Sequence, residues 1–397
     1  MTRWKELFNT PDASGRLSVI LKLVGEVCNI DCNYCYEKRK PKTSGRVLEA
    51  SEVKNLLDYL GSRPLAVELH GGEPLLAGRE RVADILNVLQ DHSSSVSVKV
   101  MTNGLLLDDE WFKLFSNTKL NVQIGISLDG SPEHNLYRLD FFGKATSSVV
   151  ERSLHVAHQL GIDIGVLCVV HQRNVYDPEG VLRYFTQFPA IKTVKFAPCF
   201  DYKVEQHSTV KRSDLTLSLF PSNGNPEWSI SPHEFSTFLN KSFDVWCKED
   251  YISSFLLEPQ TSLLRSIFGQ IPADCHTSPR KCSYVITLYP GGKITSCDEL
   301  PSPFSNYTDS TYETTLIEKT LTFEENSYSL TEWVKQLLQK CNDCEYHHVC
   351  RGGCVAARQR LKSVGKDEEY CQYRISVIEH LRVRIFETTL SFHNSGG

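Results

Sequence analysis

Residues 19–36, Val-Ile-Leu-Lys-Leu-Val-Gly-Glu-Val-Cys-Asn-Ile-Asp-Cys-Asn-Tyr-Cys-Tyr, decide how this chain is read. An apolar run of strand length ends in a turn and leads into Cys28, Cys32 and Cys35, spaced C-x3-C-x2-C. A structural zinc site takes four protein ligands and closes its shell. Three thiols in one tight loop, with no fourth Cys or His beside them, leave a coordination position open. That pattern suits a [4Fe–4S] cluster with three irons held by protein and the fourth free for a substrate. A coincidental loop of cysteines, or part of a zinc site, is the plainer alternative.

The rest of the composition bounds the class. The 397 residues are 41% hydrophobic and 23% charged with a net charge of −5, enough to bury a full core and consistent with two domains. The first sixteen residues contain no apolar h-region, and no uninterrupted apolar stretch has membrane-spanning length; the cytoplasm is the expected location. The acidic balance argues against a nucleic-acid surface, and Lys38-Arg39-Lys40 reads as a solvated loop. In a reducing compartment, 14 cysteines serve metal or chemistry before they serve disulfides. Cys168, Cys199 and Cys247 are scattered, whereas Cys275, Cys282, Cys297, Cys341, Cys344, Cys350, Cys354 and Cys371 crowd the last third. That split predicts a boundary within 205–270.

Short β-branched runs recur at 19–24, 65–69, 96–101, 122–127, 164–170 and 193–198, with helix-length stretches between them. This alternation predicts a parallel α/β sheet or barrel. Residues 51–60 read as a helix with Ser51 as its cap, and Ser231-Pro-His-Glu234 as a capping box opening a helix to about residue 247. Residues 206–226 read as a loop or linker, 372–390 as a closing helix, and 391–397 as a fraying end.

His70-Gly71-Gly72-Glu73-Pro74 follows the second expected strand, Thr102-Asn103-Gly104 ends the third, and Ser127-Leu-Asp129-Gly130 ends the fourth. With the cysteine triplet, these segments resemble the radical S-adenosylmethionine (SAM) enzymes. The resemblance implies an α/β fold, a partial (β/α)6 barrel open on one side with SAM at the C-terminal ends of its strands. In such enzymes the open iron chelates the amino and carboxylate groups of the cofactor's methionine part. By resemblance Gly71, Gly72 and Glu73 lie near the methionyl amino group, and Asn103, Ser127 and Arg138 touch the ribose or carboxylate. Leu167 would lie under the adenine, and Tyr36 would offer a backbone contact. Ordinary turn chemistry also explains Asn103-Gly104, and plain core packing explains Leu167 equally well.

The last third resembles the SPASM extension of these enzymes. Cys282 and Cys297 bracket Gly292 as C-x9-G-x4-C, Cys341, Cys344, Cys350 and Cys354 read C-x2-C-x5-C-x3-C, Cys371 closes the set, and Cys275 supplies an eighth thiolate. The resemblance implies two auxiliary [4Fe–4S] clusters with crossed ligation: Cys275, Cys282, Cys297 and Cys354 for the first, Cys341, Cys344, Cys350 and Cys371 for the second. Three clusters and SAM are thus expected. A zinc ribbon at 341–354 is the alternative. The expected division is a barrel at 1–215, a helical bridge at 216–270 and a cysteine-rich SPASM domain at 271–397.

Such a chain oxidises an unactivated C–H, the cofactor carrying the hard step while the protein positions the target. Oxidation also removes a proton, and Asp298, directly after Cys297, is the expected base by resemblance to anaerobic sulfatase maturases, with Glu299 a weaker candidate. Cys168 or Cys199 could instead donate a hydrogen atom, making the enzyme an epimerase, or could be a small buried hydrophobe. The first expectation for the reaction is crosslinking of a ribosomally made peptide, to a cyclophane or thioether; the alternative is formylglycine generation in a sulfatase. Oxidation of a small molecule remains a third reading, and a zinc or iron–sulfur scaffold protein a non-enzymatic one. Expected partners are a peptide or protein substrate, a reductant of the flavodoxin or ferredoxin kind and a separate leader-binding protein, since about eighteen residues before the first strand are too few for a leader-binding domain; neither nucleic acid nor membrane is expected.

Overall fold

The computed structural model describes residues 16–39, 45–201, 225–270, 272, 274–279, 281–300 and 334–394. Six β/α units come first: β1 Leu17–Lys22, α1 Ala50–Leu60, β2 Leu65–His70, α2 Arg79–Gln90, β3 Val96–Thr102, α3 Asp109–Ser116, β4 Asn121–Ser127, α4 Ser147–Gln159, β5 Ile164–Val170, α5 Pro178–Phe185 and β6 Ile191–Pro198. There follow α6 Pro232–Lys248, β7 Leu256–Glu258, α7 Gln260–Ile267, β8 Val285–Tyr289, β9 Lys293–Thr295, α8 His347–Cys350, α9 Val355–Ser363 and α10 Asp367–Asn394. All six expected strands are present, offset by at most two residues where their bounds differ. The helix expected from Ser51 instead starts at Ala50, capped by Glu49, whose side chain pairs with the Glu52 backbone while Glu52 reaches back. Ser231 caps α6 as expected, through the reciprocal bonds with Glu234. The expected loop at 206–226 lies outside the described residues except for its last two, as do residues 395–397 of the expected fraying end; Ser391 to Asn394 continue α10.

The sheet order is β7-β6-β5-β4-β3-β2-β1-β8-β9, parallel throughout except for the β8–β9 pair. Because β1 to β6 lie side by side in sequence order, every crossover steps the same way, and right-handed crossovers place α1 to α5 on one face. That face carries Leu21, Leu69, Val100, Ile124, Val166 and Val194, all buried with the helices in one apolar core. Alternation along the strands sends Lys22, His70, Met101, Ser127, Leu167 and Lys195 to the other face. The fold is therefore an open partial barrel, and its uncovered face is the one that carries polar groups. Two late strands extend the sheet: β7 pairs with β6, and β8 pairs with β1 through Ser18↔Val285 to Leu21↔Leu288. The cysteine-rich segment is thereby stitched to the first strand.

Candidate active site

The loop after β1 places Cys28 and Cys35 close enough to Cys32 to raise it, and Cys35 close enough to raise Cys28. Burial pushes Cys28 up to about 11 and Cys32 up to about 12, and Cys35 is also raised, chiefly by burial. Neighbouring thiolates add to the rise at Cys28 and Cys32, while Arg138 opposes it at Cys32. Without a metal these are protonated thiols; a bound cation is what makes them ligands.

The Gly71-Gly72-Glu73 segment braces this loop. Gly72 N donates to Gly25 O at 2.8 Å and Glu73 N to Val27 O at 2.8 Å. A Cβ at Gly72 would stand 2.0 Å from Val27 O, and Gly71, at φ +138°, has Gly25 O within 2.7 Å of its absent Cβ. The glycines are thus required by the approach of the cysteine loop itself. Glu73 is fully buried and accepts from Leu75 N, Thr102 Oγ1 and Asn103 N, at 3.0, 2.7 and 2.7 Å. Its carboxylate ties the end of β2 to the end of β3, and burial pushes it up to about 7 against those hydrogen bonds. Asn103 Nδ2, so positioned, lies 3.6 Å from Cys28 Sγ and 2.7 Å from Asn29 Oδ1.

Ser127 and Leu167 are register partners on β4 and β5, half-buried on the uncovered face. Cys168, one residue on, points the other way and is fully buried in the helix-covered core, 3.9 Å from Asn174 Nδ2. Its place is that of the small hydrophobe. Cys199 is buried with Tyr137 and Trp228, with Tyr34 packed against them. Arg138 is buried; its Nη1 donates to Tyr34 Oη at 3.0 Å, and Tyr34 Oη donates to Asp129 Oδ2. Asp129 also accepts from Val169 N at 2.9 Å and meets His171 Nε2 at 3.2 Å. Burial would raise the Asp129 carboxyl, yet His171 and Arg138 hold it below the usual range. Arg138 Nε has no hydrogen-bond partner among the described residues. A buried guanidinium N–H left open beside Cys32 fits an anionic ligand group such as a carboxylate.

Four residues meet at the ends of β1 and β2. Lys22 is wholly buried, and its Nζ donates to Glu37 Oε1 at 2.6 Å, to Asp298 Oδ2 at 2.5 Å and to His70 Nδ1 at 3.0 Å. Burial and the Lys22 charge lower His70, so its ring is neutral and can accept from the ammonium. Tyr36 Oη donates to Asp298 Oδ2 at 3.2 Å, and burial followed by the Asp298 charge raises the phenol well above its ordinary value. Glu299, next in the chain, is paired with Arg360 instead. Lys22, Glu37 and His70 were not singled out from sequence. One signal was there: a lone lysine inside an apolar strand must find a counter-charge.

Cys275, Cys282, Cys297 and Cys354 gather in one neighbourhood, and Cys341 and Cys371 in another. Burial pushes Cys282 up to about 12, with added contributions from Cys354 and Cys275, and Cys297 is raised by burial, Asp298, Cys282 and Cys275. Cys354 caps α9, its Sγ accepting from Ala357 N at 3.5 Å; burial raises it, but the charge and hydrogen bond of His276 bring it down to about 7. Cys341 and Cys371 share Arg358, and Cys344 follows Cys341 in the same turn, its N–H on Cys341 O at 3.3 Å. Cys350 lies against Arg374. All 14 cysteines are free thiols. Buried Lys281 donates only to His276 O and Gly353 O, and like Arg374 it has no ion pair with a carboxylate among the described residues. Thiol sets flanked by buried, unneutralised cations fit anionic metal–thiolate groups.

Comparisons with known proteins agree with this geometry. Residues 23–185 match the model of the radical SAM superfamily. The chain is 27% identical over 353 residues to a serine-type anaerobic sulfatase-maturating enzyme of Bacteroides thetaiotaomicron, covering 86% of this chain and 83% of that protein. It is 27% identical over 379 residues to a cysteine-type anaerobic sulfatase-maturating enzyme of Clostridium perfringens, covering 90% and 94%. The structure of native anSMEcpe with bound AdoMet and Cp18Cys peptide superposes with a TM-score of 0.73 at 21% identity, covering 95% of this chain and 99% of that one. This protein therefore carries a radical SAM domain, with the SAM and iron–sulfur cluster that the domain uses, and is homologous along most of its length to the anaerobic sulfatase-maturating enzymes.

Proposed function

We propose that this protein is a radical SAM oxidoreductase that converts a serine or cysteine side chain of a sulfatase to formylglycine. One observation carries the reading: relatives named as serine-type and cysteine-type sulfatase maturases align with 86% and 90% of the chain, across both the barrel and the cysteine-rich segment. The relatives support this reaction better than the peptide crosslink expected first from sequence.

In this reading the barrel at 1–215 holds the cofactor, 216–270 bridge, and 271–397 hold auxiliary clusters. Cys28, Cys32 and Cys35 hold one [4Fe–4S] cluster, and Arg138, Asn103, Ser127 and Leu167 line the SAM site, with Gly71 and Gly72 keeping the cysteine loop within reach. Cys275, Cys282, Cys297 and Cys354 hold a second cluster, and Cys341, Cys344, Cys350 and Cys371 a third. When bound, these groups supply hydrogen-atom abstraction and a one-electron sink. Loss of one hydrogen atom, one proton and one electron from a CH2–XH side chain leaves a C=X bond, the aldehyde when X is oxygen. Asp298 takes the proton, and Lys22 with Tyr36 holds its carboxylate in place. The structure of anSMEcpe with a bound peptide supports a peptide or protein substrate, and a low-potential carrier of the flavodoxin or ferredoxin kind would reduce the enzyme. A separate leader-binding protein belongs to the crosslinking reading. None of the described helices is long and apolar enough to cross a membrane.

The test is a reaction of the anaerobically reconstituted enzyme with a peptide bearing a sulfatase maturation sequence, read by mass spectrometry and hydrazide capture. A captured aldehyde is expected with either a serine or a cysteine target. A product that has lost hydrogen but resists hydrazide would restore the crosslink.

A further inference from the structure

Two buried arginines stand beside the second set of C-terminal cysteines. Arg358 is 1% exposed and lies one turn after Cys354 on α9. Its Nη1 donates to Cys341 Sγ at 3.1 Å and its Nε to Asp367 Oδ1 at 2.8 Å, while Nη2 has no partner among the described residues. Arg374 is 2% exposed on α10; its Nη2 donates to Cys350 O at 3.4 Å, and its Nε has no partner among the described residues. Guanidinium groups stripped of water cost several kcal/mol each unless an anion faces them. Asp367 serves Lys340 as well as Arg358, and the Arg374 charge acts on Asp274.

The first set lies in a different field. Asp274 and Asp298 adjoin Cys275 and Cys297 in the chain, and Glu299 follows. Lys195 and His276 pair with Asp274, on which the Arg374 charge also acts, Lys22 pairs with Asp298 and Arg360 with Glu299, and His276 also hydrogen-bonds Cys275 and Cys354. Lys281 reaches cysteines of both sets and does not distinguish them. At Cys341 a guanidinium N–H lies directly on a thiol sulfur, Arg358 Nη1 donating to Sγ at 3.1 Å. N–H···S bonds and nearby positive charge stabilise the reduced form of an iron–sulfur cluster, because reduction adds negative charge to the sulfurs.

We infer that Arg358 raises the reduction potential of the group held by Cys341, Cys344, Cys350 and Cys371. This inference rests on the reading of both sets as cluster ligands. Arg358 is a positioning and tuning residue, touching neither substrate nor SAM.

The experiment is a potentiometric titration of reconstituted holoenzyme followed by electron paramagnetic resonance, in wild type, Arg358→Gln and Arg358→Lys, after iron and sulfide analysis. Cys371→Ala, which removes a ligand of the second set alone, assigns the signals. At fixed poise, Arg358→Gln should lower the reduced-to-oxidised ratio of the second-set signal about tenfold, the equivalent of 59 mV for one electron, and leave the first-set signal in place. Arg358→Lys, which keeps the charge, should recover part of that shift. Unchanged signals in fully loaded Arg358→Gln would overturn the inference. So would a shift confined to the signal that survives in Cys371→Ala, or loss of iron from both Arg358 variants, which would make the residue a strut. Wild-type iron near eight in place of about twelve per chain would instead remove the reading beneath it, that both sets hold clusters.

Discussion

Lys22 Nζ lies 2.5 Å from Asp298 Oδ2, joining the last residue of the first strand to the residue that follows Cys297. The ammonium is wholly buried and also serves Glu37 and His70, so one cation organises groups from three separate segments. In the proposed reaction Asp298 takes a proton from a bound side chain, which needs a carboxylate in a fixed position, and Lys22 fixes it.

Replacing Lys22 by Met leaves two buried carboxylates without their cation. Loss of one partner of a buried pair costs about 3–5 kcal/mol, so Lys22→Met should lower the urea midpoint sharply. In the fraction that stays folded, product formed per 5′-deoxyadenosine should fall. A variant with wild-type stability and coupling would remove Lys22 from the site.

Asp298→Asn keeps the shape and removes the proposed base. Product formation should drop roughly 10²- to 10⁴-fold while 5′-deoxyadenosine is still released. The two are measured in one quenched sample by liquid chromatography and mass spectrometry. Equal loss of both would assign Asp298 to cofactor binding instead.

Gly72→Ala puts a methyl group where Val27 O already stands, at 2.0 Å. The backbone must part from the cysteine loop, at a cost of about 1–3 kcal/mol, read as a fall in melting temperature. Iron bound through Cys28, Cys32 and Cys35 should fall with it, leaving the C-terminal iron in place. Gly165→Ala, at an ordinary φ and with only Ile124 O near its Cβ, at 3.8 Å, is the control for an added methyl group without a clash.

Glu73 gives stability a pH dependence of unusual sign for a carboxyl. Burial raises it from 4.5 to about 7 in the folded chain, so between those values the folded state holds more protons than the unfolded one. Its contribution is fully present below pH 4.5 and is lost as pH rises through 7, on the order of 3 kcal/mol for a shift of this size. Urea unfolding of wild type and Glu73→Gln at pH 5 and pH 8 checks this. The wild type should lose more stability than the variant across that interval; parallel losses would assign the slope to other groups.

The strands were legible because their signal is local. Alternating apolar runs at 65–70 and 164–170, and turn residues where they stop, need nothing beyond neighbouring residues to be read. The start of α1 shows the limit of such reading: Ser51 has the chemistry of a cap, but the box formed by Glu49 and Glu52 sets the cap two residues earlier.

By itself the sequence determined the α/β class, the three-cysteine loop, the glycines that follow β2 and the crowding of cysteines in the last third, all properties of residues close together in the chain. Only the tertiary structure decided which distant groups share a site. The register Lys22↔His70 between β1 and β2, and the pairing of β8 with β1 that brings the segment ending in Asp298 alongside, create the Lys22–Glu37–His70–Asp298 cluster. It decided, too, that Leu167 faces the open side and Cys168 the core, since in a pleated strand one residue of register turns a side chain to the opposite face. Spacing along a chain carries no record of that register, because strand pairing is set by the burial of the whole sheet.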